Sequence, residues 1–391
     1  RGLVGSEMCI RDRHGSLDVL FPVAGYEEFE QKVGQLYESY GRREAFRNIV
    51  VETKHADSDF LREQAIRWFD RYLKGIDDRD IDLTLDEEDP QNLAVFPEGP
   101  PEDAGNYRVH ETFIPTPPFK QYSSLEQWGA HRRDLLGKIN SNVFRAFPVS
   151  TNTPELNRKE EVNWYFQAAD YESEPGVRID ALLHIPEEID TPLPAVLYVA
   201  SPGEDPQSIQ EIFSQARNPG SVIRMVVYPR GIGAVSWTKY QWKTILRNAM
   251  YCGHTVDSLR LWDVLQGVKI LRSVDGVNPD RITILGNGIS GILGLYAALL
   301  DPNIHQVFLI RPPVSHVDGP IFLNILRFLD LPEAAALLAP RRLNFYSRMP
   351  AVFEASREIY SLYGKPGHLY VSMDIEAVLQ GRYNHRFSSG R

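Results

Sequence analysis

The chain has 391 residues, 43% of them hydrophobic and 24% charged, and carries a formal net charge of −10. This is ordinary globular composition, long enough for more than one domain, and without a basic stripe it argues against nucleic acid as a partner. No apolar run approaches the roughly 20 residues that a membrane helix needs, and two cysteines, Cys9 and Cys252, imply no disulfide framework.

The first residues, "RGLVGSEMCIRDR" (1–13), show neither helical nor strand periodicity. They resemble translated adapter read-through and lack the apolar centre of a signal peptide, so they are expected to be a sequence artefact outside the fold, with no information on localisation. From 14 to 76 come an acidic turn, "GSLDVLFP", a helical stretch, "YEEFEQKVGQLYESYG", a β-rich run, "RNIVVETKH", and a second helix, "SDFLREQAIRWFDRYLKG". In that helix Leu61, Ala65, Trp68 and Tyr72 recur at helical spacing, Ser58 or Asp59 can cap the start, and Gly75 ends it. The expectation is one strand and two helices with no sheet of their own.

Residues 77–160 read as a linker: an acidic run ("DDRDIDLTLDEEDP"), Pro-rich patches ("FPEGPPEDAG", "IPTPPF") and a helix near "SLEQWGAHRRDLLGKI". From 161 to 391 the pattern changes. "EVNWYFQAA" and "VRIDALLHIP" predict paired antiparallel strands. Strands at "PAVLYVAS", "SVIRMVVYP", "RITILG", "QVFLIRP" and "RRLNFY" then alternate with helices near 205–217, 256–272 and 289–300. Such alternation predicts an α/β fold, a mostly parallel sheet with helices on both faces, with ligands beyond the C-terminal strand ends. A weak internal repeat links "LDVLFP…LYESYG…His55" to "NFYSRMP…IYSLYG…His385", anchored by Pro22 and Pro350.

The turn "GNGISG" follows a strand and opens a helix. Gly286, Gly288 and Gly291 satisfy the dinucleotide fingerprint, and the helix start could hold a phosphate, with Arg311 near a 2′-phosphate of NADP. That fingerprint normally opens the first βαβ unit, whereas two strand–helix units precede it here.

The succession "YPRGIGAVSW", "GHTVDSLRLWDVLQGVKILRS", "VNPDRITILGNGISG" and "ALLDP" resembles the acetylxylan esterase and related carboxylesterase branch of the α/β-hydrolases. The resemblance covers roughly 160–391, and residues 14–76 resemble the end of a second copy of the same fold. It implies a nucleophile elbow, G-x-S-x-G, at this turn. Aligned on Gly286, it places Gly288 where the serine belongs, so the nucleophile is absent. Ile289 then offers the oxyanion-hole amide. The alternative, an active esterase using Ser290, needs the elbow slipped by two residues. The resemblance also implies Asp18 and His55 as acid and base of an upstream copy, Arg230 as a residue pinning its loop or binding a ligand, and His385 as a base-equivalent. The acid of the C-terminal copy falls near Tyr346 or Ser347, where no carboxylate stands; Glu354 and Asp374 are substitutes from other loops.

His254, Asp257, Arg260 and Asp263 share helical spacing and read as ion pairs rather than metal ligands. His110, His131, His184, His305 and His316 show no zinc spacing. The sequence thus predicts the C-terminal remnant of one hydrolase domain followed by a serine-less second domain. It implies no metal and no cofactor, with an acetylated carbohydrate or other small ester as substrate of the parent protein and an upstream hydrolase domain as partner.

Overall fold

The computed structural model describes residues 9–84, 88–109, 117–148, 152–163, 165–205, 207, 209, 213 and 222–373. The chain divides into two compact units, Arg1–Ala104 and Gly105–Arg391.

In the first unit, β1 (Ile10–Gly15) and β2 (Phe46–Val51) lie parallel, joined by α1 (Val23–Ser39), and α2 (Asp59–Phe69) follows. This corrects two expectations. Residues 10–13 are not outside the fold, and the unit has a sheet, of two strands. The pairing needs only backbone groups, so the absence of side-chain periodicity did not forbid it. Arg11 then sits over the Trp68 ring at 5.2 Å, and Arg13 Nη1 donates to Leu61 O at 3.0 Å. Helix α2 begins where expected: Ser58 Oγ accepts from Leu61 N at 3.4 Å.

The second unit begins earlier than residue 161. Helix α3 (Leu125–Lys138) is no linker: Trp128, Leu135 and Ile139 are part of the main core. Strand β3 (Leu156–Glu161) starts a nine-stranded sheet. Next come β4 (Gln167–Glu174), β5 (Val177–His184), β6 (Leu193–Val199) and β7 (Ile223–Tyr228), then helices α4 (Lys239–Tyr251) and α5 (Val256–Ser273). They are followed by β8 (Val277–Asn287), α6 (Ile289–Leu300), β9 (Gln306–Ile310), α7 (Leu331–Leu337), β10 (Arg342–Tyr346), α8 (Glu354–Leu362) and β11 (Leu369–Ser372). The spatial order is β11-β10-β9-β8-β6-β7-β5-β4-β3, parallel from β11 to β7, with β5 antiparallel to both neighbours.

Strands β6 and β7 are buried almost throughout, the continuous apolar pattern of a sheet covered on both faces. The edge strand β3, "LNRKEE", is polar and exposed, which discourages further pairing. One face packs against α5, α6 and α3, with Leu261, Val268, Leu295 and Trp128 in one core. The other carries Val196, Tyr198, Leu285 and Phe308. Of the helix expected at 205–217, Ile209 and Phe213 are buried helical residues; most of it lies outside the described residues.

The two units share one local geometry. Helix α1 ends at Tyr40, with Gly41 at φ 65, and Arg42 N donates to Tyr37 O at 2.9 Å. Helix α8 ends at Tyr363, with Gly364 at φ 66, and Lys365 N donates to Tyr360 O at 2.9 Å. Each helix is followed by a 3₁₀ turn, Arg43–Ala45 or Pro366–His368, and by a buried first strand residue, Phe46 or Leu369. Both helical segments are preceded by a proline of nearly equal conformation, Pro22 (φ −60, ψ 140) and Pro350 (φ −59, ψ 141). The repeat seen in sequence is therefore a repeat of strand, helix and strand.

Candidate active sites

Strand β1 ends at Gly15, and three residues later Asp18 turns back. Its Oδ1 accepts from Leu20 N at 2.8 Å, which fixes the carboxylate. Strand β2 ends at Val51, and four residues later His55 faces it. His55 Nδ1 lies 2.7 Å from Asp18 Oδ2, and Phe21 stacks on the imidazole with centroids 5.9 Å apart. The Asp18 side chain is nearly covered, while that of His55 is 64% exposed. Although partial desolvation opposes it, the hydrogen bond from His55 holds the Asp18 carboxyl below its ordinary range. The dyad lies in a cavity of about 720 Å³ that also contains His14, Tyr26 and Asp57. Asp18 and His55, expected as a pair, are brought together; an oriented carboxylate on one ring nitrogen leaves the other free for proton transfer.

The second unit brings six parallel strand ends to one edge. Strand β8 delivers Gly288, which adopts φ 55, ψ −128 before the first turn of α6. L-residues reach this region only under strain, and glycine reaches it without a Cβ penalty. Gly288 N donates to Ile310 O at 2.8 Å, tying the turn to β9. A Cβ on Gly288 would meet nothing within 4 Å, whereas one on Gly286 would lie 2.6 Å from Gly291 N, and one on Gly291 would lie 2.7 Å from Gly286 O. Gly286 and Gly291 are thus required by close backbone approach, and Gly288 by its conformation. That accounts for all three glycines by backbone geometry alone.

Ser290 is not at the tip. It is fully buried, and its Oγ donates to Ala200 O at 2.9 Å, bracing α6 against the end of β6. The Ser290 nucleophile reading is therefore corrected: two residues past Gly288 the side chain points into the protein. Ile289 is the first residue of α6 and follows the turn. Sequence reasoning overlooked Ser201, whose Oγ donates to Asn287 O at 2.6 Å, and Glu204, which accepts from Ser201 N at 2.9 Å. These join the loop after β6 to the residue before Gly288. No motif announces such a pairing across 86 positions.

Around the turn no triad acid follows β10 among the described residues. Strand β10 ends at Tyr346 and continues as Ser347, Arg348 and Met349, none of them acidic. Glu354 is paired with Arg357 at 2.6 Å and is no substitute. His385 and Asp374, like His110, lie outside the described residues.

Arg230 follows β7 and is held on every side. Its Nε and Nη2 donate to Asp263 Oδ2 and Oδ1 at 2.9 and 2.6 Å, and Nη2 reaches Glu174 Oε1 at 2.5 Å. Ser173 Oγ adds a bond to Asp263 Oδ1 at 2.7 Å. Burial pulls the Arg230 pKa down, but the bonds and charges of Asp263 and Glu174 push it up on balance. This is a structural pin on the "PRGIG" loop. Asp257 pairs with Arg260 at 3.4 Å, and the Arg260 guanidinium lies 5.8 and 5.2 Å from the Trp237 and Trp242 ring centroids. Asp263 pairs with Arg230 rather than with Arg260. Among the described residues no three metal-binding side chains converge, and no helix is long and apolar enough to cross a membrane.

No protein-family model matches the sequence, and no curated protein matches it. Solved structures do. A Bacteroides fragilis protein provisionally described as an acetyl xylan esterase superposes with a TM-score of 0.57 at 16% identity, over 71% of this chain and 84% of that one. A methylesterase gives 0.51 at 14% identity, over 64% of this chain and 60% of that one. A glucuronoyl esterase from Caldicellulosiruptor kristjansonii gives 0.48 at 14% identity, over 67% and 86%. The first two, with the strand order above, establish the α/β-hydrolase fold.

Proposed function

We propose that the chain belongs to a carboxylic-ester hydrolase acting on acetylated carbohydrate or a related small ester, and that its second unit is a hydrolase domain without catalytic power. The observation that carries this reading is Gly288. Its backbone holds the strained conformation of a nucleophile, space for a side chain is open above it, and the side chain is absent. Acyl transfer needs an attacking hydroxyl, a base and an orienting acid. The turn lacks the first, and the loop after β10 lacks the last. Loss of a triad serine lowers turnover on the order of a millionfold.

The first unit supplies the complementary half. Asp18 and His55 sit on loops after two parallel strands joined by a helix, the same strand–helix–strand that closes the second unit. In the second unit β10 has β9 on its other side, whereas the first unit has two strands among the described residues. Leu17, Val19, Leu20 and Phe21 around the acid are exposed, Val19 at 92%. These features support the reading that a hydrolase sheet bearing its own serine completes the dyad. The structural neighbours described as esterases support the substrate class.

The purified chain should hydrolyse neither 4-nitrophenyl acetate nor acetylated xylan above a protein-free control, and a fluorophosphonate probe should leave its mass unchanged. Turnover abolished by Ser290→Ala would overturn the reading. The genomic reading frame upstream of residue 1 is a second test: it should encode strands ending in G-x-S-x-G.

A further inference from the structure

Helix α4 joins the loop after β7 to the start of α5. Strands β7 and β8 both run parallel to β6. Strand β7 therefore ends, and α5 begins, at the edge of the sheet where Gly288 lies, and α4 between them lies at that edge too. The sequence predicts neither a helix nor a basic stripe over this segment; the structure supplies both. Lys239, Lys243 and Arg247 recur four residues apart, about 6 Å along the axis from one to the next. All three are exposed, and among the described residues no ion pair or hydrogen bond holds their side chains. At about 100° per residue, Tyr240 and Tyr251 fall on the same side of the helix, within an arc of about 120°. They are 74% and 80% exposed.

The opposite side, with Trp242, Leu246 and Ala249, faces the protein. The Trp242 ring lies 6.0 Å from that of Trp237 and 5.2 Å from the Arg260 guanidinium, and Thr238 and Gln241 close a capping box at the helix start. A fixed helix thus presents the cations and the two phenol rings.

Helix stability does not account for the three charges. Cations four residues apart repel one another. Lys239 is the first residue of α4, where the helix dipole favours an acid, yet the helix carries no acidic residue at all. The last turn, where a cation would be stabilised, has none. The charges are placed against the electrostatics of their own helix, and an anion lying across them would relieve the repulsion.

We propose that the exposed face of α4 is a docking surface for an acidic polysaccharide, whose carboxylates meet Lys239, Lys243 and Arg247 and whose sugar rings lie on Tyr240 and Tyr251. The choice of a glycan rests on the function proposed above: a hydrolase domain without catalytic power holds the polymer on which an active one works. Two other polyanions fit less well. An anionic membrane takes up the apolar side of a helix, and here that side is packed against the protein. Duplex nucleic acid carries one charge per ~1.7 Å. A chain of net charge −10 is repelled more strongly by it than by a glycan with at most one carboxylate per ring.

The anisotropy of fluorescein-labelled oligogalacturonate, titrated with the full chain at low salt, tests this. Binding should saturate, should weaken as salt rises, and should withstand neutral xylo-oligosaccharide. Lys239→Gln, Lys243→Gln and Arg247→Gln together should weaken it about tenfold, the loss of three exposed ion pairs. Tyr240→Ala with Tyr251→Ala should weaken it too, with the salt dependence kept. The triple variant should melt no lower than the unaltered protein, because like charges have been removed. Absence of binding, or an affinity unchanged in the triple variant, overturns the proposal. A lower melting temperature gives the charges a structural role and overturns it as well. So does displacement by a duplex oligonucleotide or by phosphatidylserine vesicles at a lower charge concentration than unlabelled oligogalacturonate requires. If the triple variant does not fold, salt dependence and competition in the unaltered protein decide. No arm reads ester hydrolysis, so activity found in the chain would sink the earlier reading and leave the binding result standing.

Discussion

His55 Nδ1 and Asp18 Oδ2 stand 2.7 Å apart although 37 positions separate them in the chain. The two residues reach each other because β1 and β2 are parallel and in register, Gly15 opposite Val51, so the loops leaving both strands emerge at the same end. This geometry fixes the His55 tautomer, with the proton on Nδ1. Imidazole ¹H–¹⁵N correlation spectra of the neutral ring should show Nδ1 protonated and Nε2 bare. In Asp18→Asn, the two tautomers should interconvert. The Asp18 carboxyl is held below its usual 3.8, so its contribution is present above that pH and disappears as pH falls through the depressed value.

The three glycines of the turn should respond differently to alanine. At Gly288 the added methyl meets no atom, so only the positive φ is penalised, by about 1–2 kcal/mol. At Gly286 it drives into Gly291 N at 2.6 Å, and the loss should be about 3 kcal/mol. Urea unfolding of both variants measures the difference. Equal losses would contradict the assignment of conformation to one residue and close packing to the other.

Gly288→Ser should fold, with a loss similar to that of Gly288→Ala, and should remain inactive. The restored hydroxyl has open space, but the loop from Ser347 to Pro350 offers no carboxylate to orient a base. A pre-steady-state burst with 4-nitrophenyl acetate would show that a base and acid are recruited from elsewhere.

Ser290→Ala removes a buried donor to Ala200 O and should cost about 1 kcal/mol of stability. Fluorophosphonate labelling should be absent before and after the change. Labelling that vanishes only in the variant would place a reactive hydroxyl where the structure buries a brace.

Asp263→Asn leaves the Arg230 guanidinium without its bidentate carboxylate. Glu174 remains, so the loss should fall at about 3 kcal/mol, the lower end of the range for a broken buried pair. Asp263→Leu combined with Arg230→Met should be less damaging than Asp263→Asn alone, because no uncompensated charge stays buried. Urea midpoints of the three proteins decide the order.

The parallel sheet was legible in the sequence because "PAVLYVAS", "SVIRMVVYP" and "QVFLIRP" are continuous apolar runs, which only a strand covered on both faces requires. The same pattern did not reveal β3 or β11: edge strands bury one side at most, and "LNRKEE" and "LYVS" carry a weak signal. Helix α3 read as linker because it is flanked by proline and polar stretches, yet its Trp128 face joins the core. Residues 10–13 were read as lying outside the fold because β1 is held by backbone bonds, to which side-chain periodicity is blind.

By itself, then, the sequence determined the order of the strands from β4 to β10 with α5 and α6, the glycine at the turn after β8, and the spacing of Asp18 and His55, since these follow from local pattern and from which side chains the chain possesses. Only the tertiary structure decided which glycine bears the strain, which way Ser290 points, and that Ser201 meets Asn287 across 86 positions. Those depend on distances between elements remote in sequence, and they are set by packing, which no local pattern records.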